Sequence, residues 1–380
     1  MRSTRWLGAA LLLVVLAGLV AWRHADSAPL VRTVAVGTFT GVAVDAQTDR
    51  AFVDNDDASG VTILASPGGR VLHTVATGAD PDGMAVDVRR ARVFVADHDQ
   101  NMLSSSGASV MSGPAAHSGY VDVLDARSGR NLSTIPVGAD PDAVAVDQQS
   151  GAVFAITADT TVSILDVRRR TVVSTTVLSQ DLRALAVDAR THRVFVVNDL
   201  KGTVSVLDAR SGANLRTVAV GARPNAIAVD ERMGRVYVVN NGDNSLSILD
   251  AHSGTPVQTV PVGQNPDAVA VDERKGRVYV ASEGATDAAG NPVGPGNVEV
   301  LDARSGQIAR TMAVGVAPSA VAVDERTGDA FVVNAGGPLS RPSAWAWVPR
   351  WMRRWLPFLP AGDAQTRTAP CSLSVVPAGA

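Results

Sequence analysis

Residues 224–240 read PNAIAVDERMGRVYVVN, and this stretch returns along the chain with the same order of apolar and acidic positions. An apolar residue, Ala, Val and Asp follow one another seven times, ending at Asp45, Asp87, Asp147, Asp188, Asp230, Asp272 and Asp324. Successive aspartates are 42, 60, 41, 42, 42 and 52 residues apart. A period near 42 is the length of one four-stranded blade of a β-propeller. The sequence therefore predicts an all-β fold, a seven-bladed β-propeller of four-stranded antiparallel blades.

Each repeat contains short β-branched segments separated by clusters of Asp, Gly and Asn, which is typical of strands and turns. The residue two before each repeated Asp is always Ala. A small side chain relieves crowding where inner strands converge on the axis. Because each repeated Asp precedes a tight turn, we interpret the seven aspartates as turn caps and not as a ring of ligands.

The two ends of the chain predict how the ring closes. Residues 371–376 have the pattern of a third strand, and residues 30–37 resemble the fourth strands of other repeats, such as residues 215–221. We expect these segments to pair in one blade, which would remove an exposed edge.

The first residues differ from the repeats. Residues 7–21 are uncharged and follow Arg2 and Arg5, so residues 1–28 are predicted to be a signal-anchor or a cleaved signal peptide. Residues 29–380 then form the propeller. We expect the propeller to be periplasmic or extracytoplasmic, anchored to the inner membrane by one N-terminal helix, with secretion after cleavage as the alternative.

Composition excludes several classes of function. With 34 basic and 37 acidic residues, the formal net charge of −3 argues against a nucleic-acid partner. The one cysteine excludes an internal disulfide framework. The chain contains no haem-attachment motif, Gly-x-Ser-x-Gly elbow, His-Glu-x-x-His helix or phosphate-binding loop. The sequence therefore predicts no catalytic residue, no metal site and no cofactor.

Three insertions, residues 97–120, 282–297 and 335–370, all fall between a second and a third strand. Insertions on one face of a repeat protein usually mark the binding face. On that face, polar residues at the start of inner strands and the end of second strands are predicted to line the channel mouth and contact a ligand; these are Asp82, Asp142, Arg183, Asn225, Asp267, Asn198, Asn240 and Asn334. The alternative is that they are ordinary turn residues.

The insertion before the last strand holds four of the six tryptophans of the chain. Within residues 345–359 we predict a surface that contacts a membrane or a partner through Trp345, Trp347, Arg350, Trp351, Arg353, Arg354 and Trp355. A hydrophobic lid folded over the ring is the alternative.

The segments Tyr237-Val238-Val239-Asn240 and Val196-Val197-Asn198 resemble the bacterial YVTN-type β-propeller repeat family, over residues 30–334 and the last strand. The wider group includes lactonase-like and dehydrogenase-associated propellers. We predict an exported, membrane-tethered binding or scaffold protein of the cell envelope, without catalysis of its own, that binds an envelope protein or a small polar ligand. Two alternatives stay open: a lactonase-like hydrolase with a divalent cation at the channel mouth, and an accessory protein of a periplasmic dehydrogenase.

Overall fold

The computed structural model describes residues 32–34, 41–55, 59–77, 80–98, 119–138, 141–339, 367–369 and 371–378. The strands within these ranges are β1 (Arg32–Val34), β2 (Val42–Asp45), β3 (Arg50–Asn55), β4 (Gly60–Ala65), β5 (Arg70–Ala76), β6 (Asp80–Asp87), β7 (Arg92–His98), β8 (Gly119–Asp125), β9 (Asn131–Gly138), β10 (Pro141–Val146), β11 (Val153–Thr157), β12 (Thr161–Asp166), β13 (Thr171–Val177), β14 (Leu182–Asp188), β15 (Arg193–Asn198), β16 (Thr203–Asp208), β17 (Asn214–Ala219), β18 (Pro224–Asp230), β19 (Arg235–Asn240), β20 (Ser245–Asp250), β21 (Pro256–Pro261), β22 (Pro266–Asp272), β23 (Arg277–Ser282), β24 (Asn297–Asp302), β25 (Ile308–Ala313), β26 (Pro318–Asp324), β27 (Asp329–Asn334), β28 (Gly337–Leu339), β29 (Arg367–Ala369) and β30 (Ser372–Val376).

These strands form seven antiparallel four-stranded sheets, which confirms the predicted seven-bladed propeller. Blades one to six each use four consecutive strands, from β2–β5 to β22–β25. Blade seven has the order β26, β27, β30 and β1, so the two ends of the chain complete it together, as predicted. Arg32 lies opposite Val375, and Val34 lies opposite Leu373.

The described closing strand is shorter than the predicted segment 30–37, whose other residues lie outside the described ranges. The predicted N-terminal membrane helix, residues 1–28, lies outside them as well. In the part of the chain that the structure describes, no helix has the length and apolar character needed to cross a membrane.

A small residue and an aromatic residue face each other across the two inner strands of every blade. The seven pairs are Ala43–Phe52, Ala85–Phe94, Ala145–Phe154, Ala186–Phe195, Ala228–Tyr237, Ala270–Tyr279 and Ala322–Phe331. All seven rings are buried. The Ala column predicted from the sequence therefore leaves space beside a large ring, and each ring fills the space between neighbouring sheets.

The core consists of seven hydrophobic clusters, each formed by two neighbouring blades. The cluster that joins blade seven to blade one contains Phe331 and Leu373 from one side and Ala51 and Leu64 from the other. Because this seam is packed like the others, the ring is closed by side-chain packing as well as by the β1–β30 pairing.

The seven repeated aspartates cap the turns between the first and second strands, which confirms their structural interpretation. In each blade, one Oδ1 atom accepts a hydrogen bond from a backbone N–H two or three residues later, as Met233 donates to Asp230 at 2.7 Å. Neighbouring blades are also joined through these turns, because Arg190 donates to the Glu231 carbonyl at 2.8 Å and Arg326 donates to the Ala46 carbonyl at 3.3 Å.

Candidate functional site

One end of the channel is formed by the loops that lead into the first strands and the loops that join the second and third strands; we call it the upper mouth. In blades four to seven, the backbone N–H after the second strand donates to the carbonyl of the residue before the first strand. These bonds are Asp199 to Asp181, Asn241 to Arg223, Glu283 to Asn265 and Ala335 to Ala317, at 2.8–3.1 Å. The four acceptor residues have φ angles of 50–69°, in the left-handed region. The repeated bond fixes the loops whose side chains surround the upper mouth.

A polar cavity of about 400 Å³ opens at the upper mouth, on the side of blades four to seven. Its walls are Arg183, Asp199, Arg223, Asn225, Asn241, Asp267 and Ser319, and we call it the mouth cavity. Its volume is within the range of small-molecule sites. Because the lining side chains are charged, amide or hydroxyl groups, the cavity suits a polar ligand better than an apolar one.

Blades four and five supply the basic wall of the mouth cavity. Arg183 pairs with Asp181 at 2.9 Å, and its Nε lies 3.8 Å from Asp199 Oδ2. The Nε of Arg223 lies 3.6 Å from the other oxygen of Asp199. The Asp199 side chain is only 9% exposed, whereas those of Arg183 and Arg223 are 51% and 72% exposed. A buried carboxylate thus holds two guanidinium groups that solvent or a ligand can still reach.

Blade six supplies the acidic wall. Asn225 Nδ2 donates to Asp267 Oδ1 at 2.5 Å. Burial, with the nearby Glu283 carboxylate, raises the pKa of Asp267 to about 6 despite the hydrogen bond from Asn225. Burial also raises the pKa of Glu283. A raised pKa means that the two carboxylates are poorly compensated, so a positive group placed beside them would be stabilised.

Three of the predicted ligand residues lie in the mouth cavity, namely Arg183, Asn225 and Asp267. The other predicted residues at first-strand starts lie on blades two and three. Asp82 is exposed on β6, and Asp142 is half-buried on β10. The walls of the mouth cavity do not include them.

The three predicted asparagines at second-strand ends are buried inside the blades. Asn198 Nδ2 donates to Ser179 Oγ at 2.7 Å, and Asn240 Nδ2 donates to Ser245 and Ser247, each at 2.9 Å. Asn334 Nδ2 donates to the Ser372 carbonyl at 2.9 Å and to Ser374 Oγ at 3.0 Å. These amides hold loops and strands together within their blades, and none of them lines the mouth cavity.

Sequence reasoning did not single out Asp199, Arg223 or Asn241, which also line the cavity. Asp199 and Asn241 each follow a buried asparagine by one residue. Because successive residues of a strand point to opposite faces, a shift of one position separates an internal side chain from one at the mouth. For Asp199 and Asn241, the available signal was therefore a polar residue directly after a Val-Asn pair.

The three insertions lie between second and third strands, but the structure describes them unequally. The blade-six insertion is described throughout, and a bridge between Thr286 and Pro292 closes a turn capped by Asp287. The blade-seven insertion begins with β28 paired to β29. Residues 99–118 and 340–366 lie outside the described ranges, and so do the predicted contact residues from Trp345 to Trp355.

The opposite mouth contains a row of glutamates that join blades. Glu231 Oε1 accepts from the Ala189 backbone at 2.9 Å, Glu273 Oε1 accepts from the Glu231 backbone at 2.8 Å, and Glu325 Oε1 accepts from the Glu273 backbone at 3.4 Å. We call these three residues the glutamate ladder. Burial raises the pKa of all three carboxyl groups, and that of Glu273 reaches about 7. These three carboxyl groups therefore serve in hydrogen bonds that join blades four to seven.

Within the described ranges, no group of three or more His, Cys, Asp or Glu side chains is placed to hold a metal ion. The mouth cavity combines two arginines and two aspartates, Asp199 and Asp267, with amide and hydroxyl groups. This arrangement can recognise charges of both signs and orient a ligand by hydrogen bonds.

Residues 183–326 match the family model of the choice-of-anchor I domain. The matched part covers blades four to six and the first strand of blade seven, less than half of the chain, and it includes every lining residue of the mouth cavity. The hydrazine synthase of Kuenenia stuttgartiensis is similar in structure, with a TM-score of 0.62 and 15% identity, over 82% of this chain and 96% of that one. At this identity the likeness shows the fold alone. No curated protein matches the sequence, and the resemblance to YVTN-type propellers stays a prediction.

Proposed function

We propose that this protein is a cell-surface or extracytoplasmic propeller that binds a small polar ligand in the mouth cavity and acts as a binding module without catalysis of its own. The observation that carries the proposal is that two accessible arginines and a buried Asp267 without an ion-pair partner line one cavity of about 400 Å³. The glutamate ladder occupies the opposite mouth with structural bonds. The two ends of the channel therefore differ in the groups they offer to a ligand.

The match of residues 183–326 to a choice-of-anchor domain supports the location, because the name of that domain refers to anchoring. Tethering to the inner membrane by residues 1–28, and contact of residues 345–359 with a membrane or an envelope partner, remain part of the proposal. The chemistry of these segments, an uncharged run and a Trp/Arg-rich run, supports them. The proposal leaves out the hydrolase and the dehydrogenase accessory, because no observation on the described residues favours either.

Ligand binding is tested by thermal-shift measurements on the full chain with a panel of small polar metabolites. We expect at least one compound to raise the melting temperature of the unmodified protein and of Arg216→Gln, whose exposed side chain lies on the outer strand β17. The same compound should leave Asn225→Leu unshifted, because the leucine removes the amide between the two charged walls. The proposed function would be refuted if no compound raised the melting temperature of the unmodified protein. It would also be refuted if the active compound raised the melting temperature of Asn225→Leu by the same amount.

Surface attachment is tested separately by deleting residues 341–360 and fractionating the cells. We expect the deletion to weaken association with the envelope. The matched control removes residues 286–292, a turn of the blade-six insertion between the same strands of its blade. Equal fractionation of both deletions and the unmodified chain would show that the Trp/Arg-rich run does not mediate attachment.

A further inference from the structure

The mouth cavity has two walls of opposite charge, and this arrangement restricts the ligand more than its polarity does. Arg183 and Arg223 lie on blades four and five, and Asp267 lies on blade six. A purely anionic ligand would meet Asp267, and a purely cationic ligand would meet the arginines. Only a molecule with both charges, separated along its length, satisfies both walls.

The basic wall is organised to receive a carboxylate. Asp199 contacts the Nε atoms of Arg183 and Arg223 at 3.8 and 3.6 Å, so the two guanidinium groups lie on either side of one buried anchor. Each guanidinium has five N–H donors. Arg223 approaches Asp199 through its Nε, and Arg183 also uses Nη2 on Asp181 at 2.9 Å, so N–H donors of both side chains remain for a ligand. Fixed arginines of this kind bind carboxylate oxygens through paired N–H donors.

The acidic wall is organised to receive an ammonium group. Among the described residues, no Lys, Arg or His forms an ion pair with Asp267 or with Glu283. Within the described part of the chain, the hydrogen bond to the Asp267 side chain comes from the neutral amide of Asn225. Two neighbouring carboxylates without a cation repel each other, and an ammonium group from a ligand would supply the missing charge.

The rest of the lining favours a polar chain between the two charges. Asn225 Oδ1 and Ser319 Oγ are buried without a hydrogen-bond partner in the described structure. Asn241 Nδ2 donates to the Pro266 carbonyl at 3.1 Å, which leaves its oxygen as an acceptor. Among the described residues, those that line the cavity are Arg, Asp, Asn and Ser side chains. A dipeptide spans about 7 Å at roughly 3.5 Å per residue, which a cavity of about 400 Å³ accommodates.

We infer that the mouth cavity binds a short zwitterion of the dipeptide class, with its carboxylate on Arg183 and Arg223 and its ammonium group on Asp267. This inference rests on the proposed function, since it names the ligand class of the same cavity.

The test is calorimetry on the full chain with L-alanyl-L-alanine, with its N-acetylated form and with its C-terminal amide. We expect the free dipeptide to bind and each blocked form to bind at least tenfold more weakly. In Arg223→Gln the C-terminal amide should no longer be disfavoured, while acetylation should still weaken binding. In Asp267→Asn the acetylated form should no longer be disfavoured, whereas the C-terminal amide should still bind more weakly than the free dipeptide. Arg216→Gln on β17 should behave like the unmodified protein.

Equal binding of all three compounds to the unmodified protein would overturn the inference. It would also be overturned if Arg223→Gln and Asp267→Asn each weakened the binding of all three compounds to the same extent. Absence of any dipeptide binding, together with a shift by another polar metabolite that Asn225→Leu loses, would overturn the zwitterion and leave the proposed function standing. Absence of every ligand effect would overturn both. Circular dichroism and melting temperatures of the variants exclude loss of fold as the cause of any of these results.

Discussion

The glutamate ladder predicts an unusual dependence of stability on pH. Burial, with the carboxylates of Glu325, Asp230 and Glu231, raises the pKa of Glu273 from its ordinary 4.5 to about 7, even though the Glu231 N–H donates to it. Between these values the folded chain holds a proton that the unfolded chain has released. The contribution of Glu273 to the unfolding free energy is therefore fully present below about pH 4.5 and is lost as the pH rises through about 7.

The size of the effect follows from the shift. At about 1.4 kcal/mol per pH unit, moving the pKa of Glu273 from 4.5 to about 7 corresponds to roughly 3 kcal/mol. Glu273 is only partly buried, so screening by solvent reduces this to about 1–2 kcal/mol. The matched variant is Glu273→Gln, because a neutral amide keeps an oxygen acceptor for the Glu231 N–H and cannot lose a proton.

The assay is urea unfolding at pH 5 and at pH 8. We expect the unmodified protein to lose about 1–2 kcal/mol more than Glu273→Gln between the two pH values. Asp302→Asn is the control, since hydrogen bonds from Ser305 hold the pKa of Asp302 below its usual range and its titration lies below this interval. If Glu273→Gln loses as much stability as the unmodified protein, the ladder does not carry the proton and the reasoning is wrong.

Three further predictions concern the core and the cavity. Phe195→Ala should lower the unfolding free energy by about 3–5 kcal/mol, because the ring is fully buried between blades. Val173→Ala on β13, where the side chain is 63% exposed, should change it by less than about 0.5 kcal/mol. Similar losses for the two variants in urea unfolding would contradict this prediction. Tyr237→Phe should cost about 1 kcal/mol, since the phenol donates to the Ala303 carbonyl of the next blade at 2.7 Å, and an unchanged melting temperature would show that the bond contributes nothing. Binding of L-alanyl-L-alanine should weaken as the pH falls below about 6, because the Asp267 carboxylate then gains a proton; calorimetry on Asp267→Asn should show no such dependence.

Much of the fold could be predicted from the sequence because the blade is a local unit repeated seven times. The repeated Ala-Val-Asp predicted the inner strand of each blade. The patterns of residues 30–37 and 371–376 predicted that the two ends of the chain pair in one blade. The aromatic partners were less apparent, although each lies nine residues after its Ala, as Phe52 follows Ala43. Their importance depends on cross-strand register, which the spacing of the repeat alone does not show.

The mouth cavity was predicted only in part, for two physical reasons. Side chains of Asn198, Asn240 and Asn334 point into their blades, so the residue type at a strand end does not tell which face it occupies. The contact between Asp199 and Arg223 joins blades four and five, and its closeness follows from the curvature of the whole ring. Arg183, Asn225 and Asp267 could be found because the repeat places them at equivalent positions.

The glutamate ladder is not continuous around the molecule. A side chain after the repeated Asp joins blades four to seven, and Gln148 makes the corresponding bond to the Val88 backbone between blades two and three. At the same position blades one, two and four carry Ala46, Val88 and Ala189, whose apolar side chains accept no hydrogen bond. Slow opening of the ring should therefore begin in the arc of blades one to three, while the half that carries the cavity keeps its shape. Amide protons of blades five and six would then exchange last, so a ligand would meet an already rigid surface.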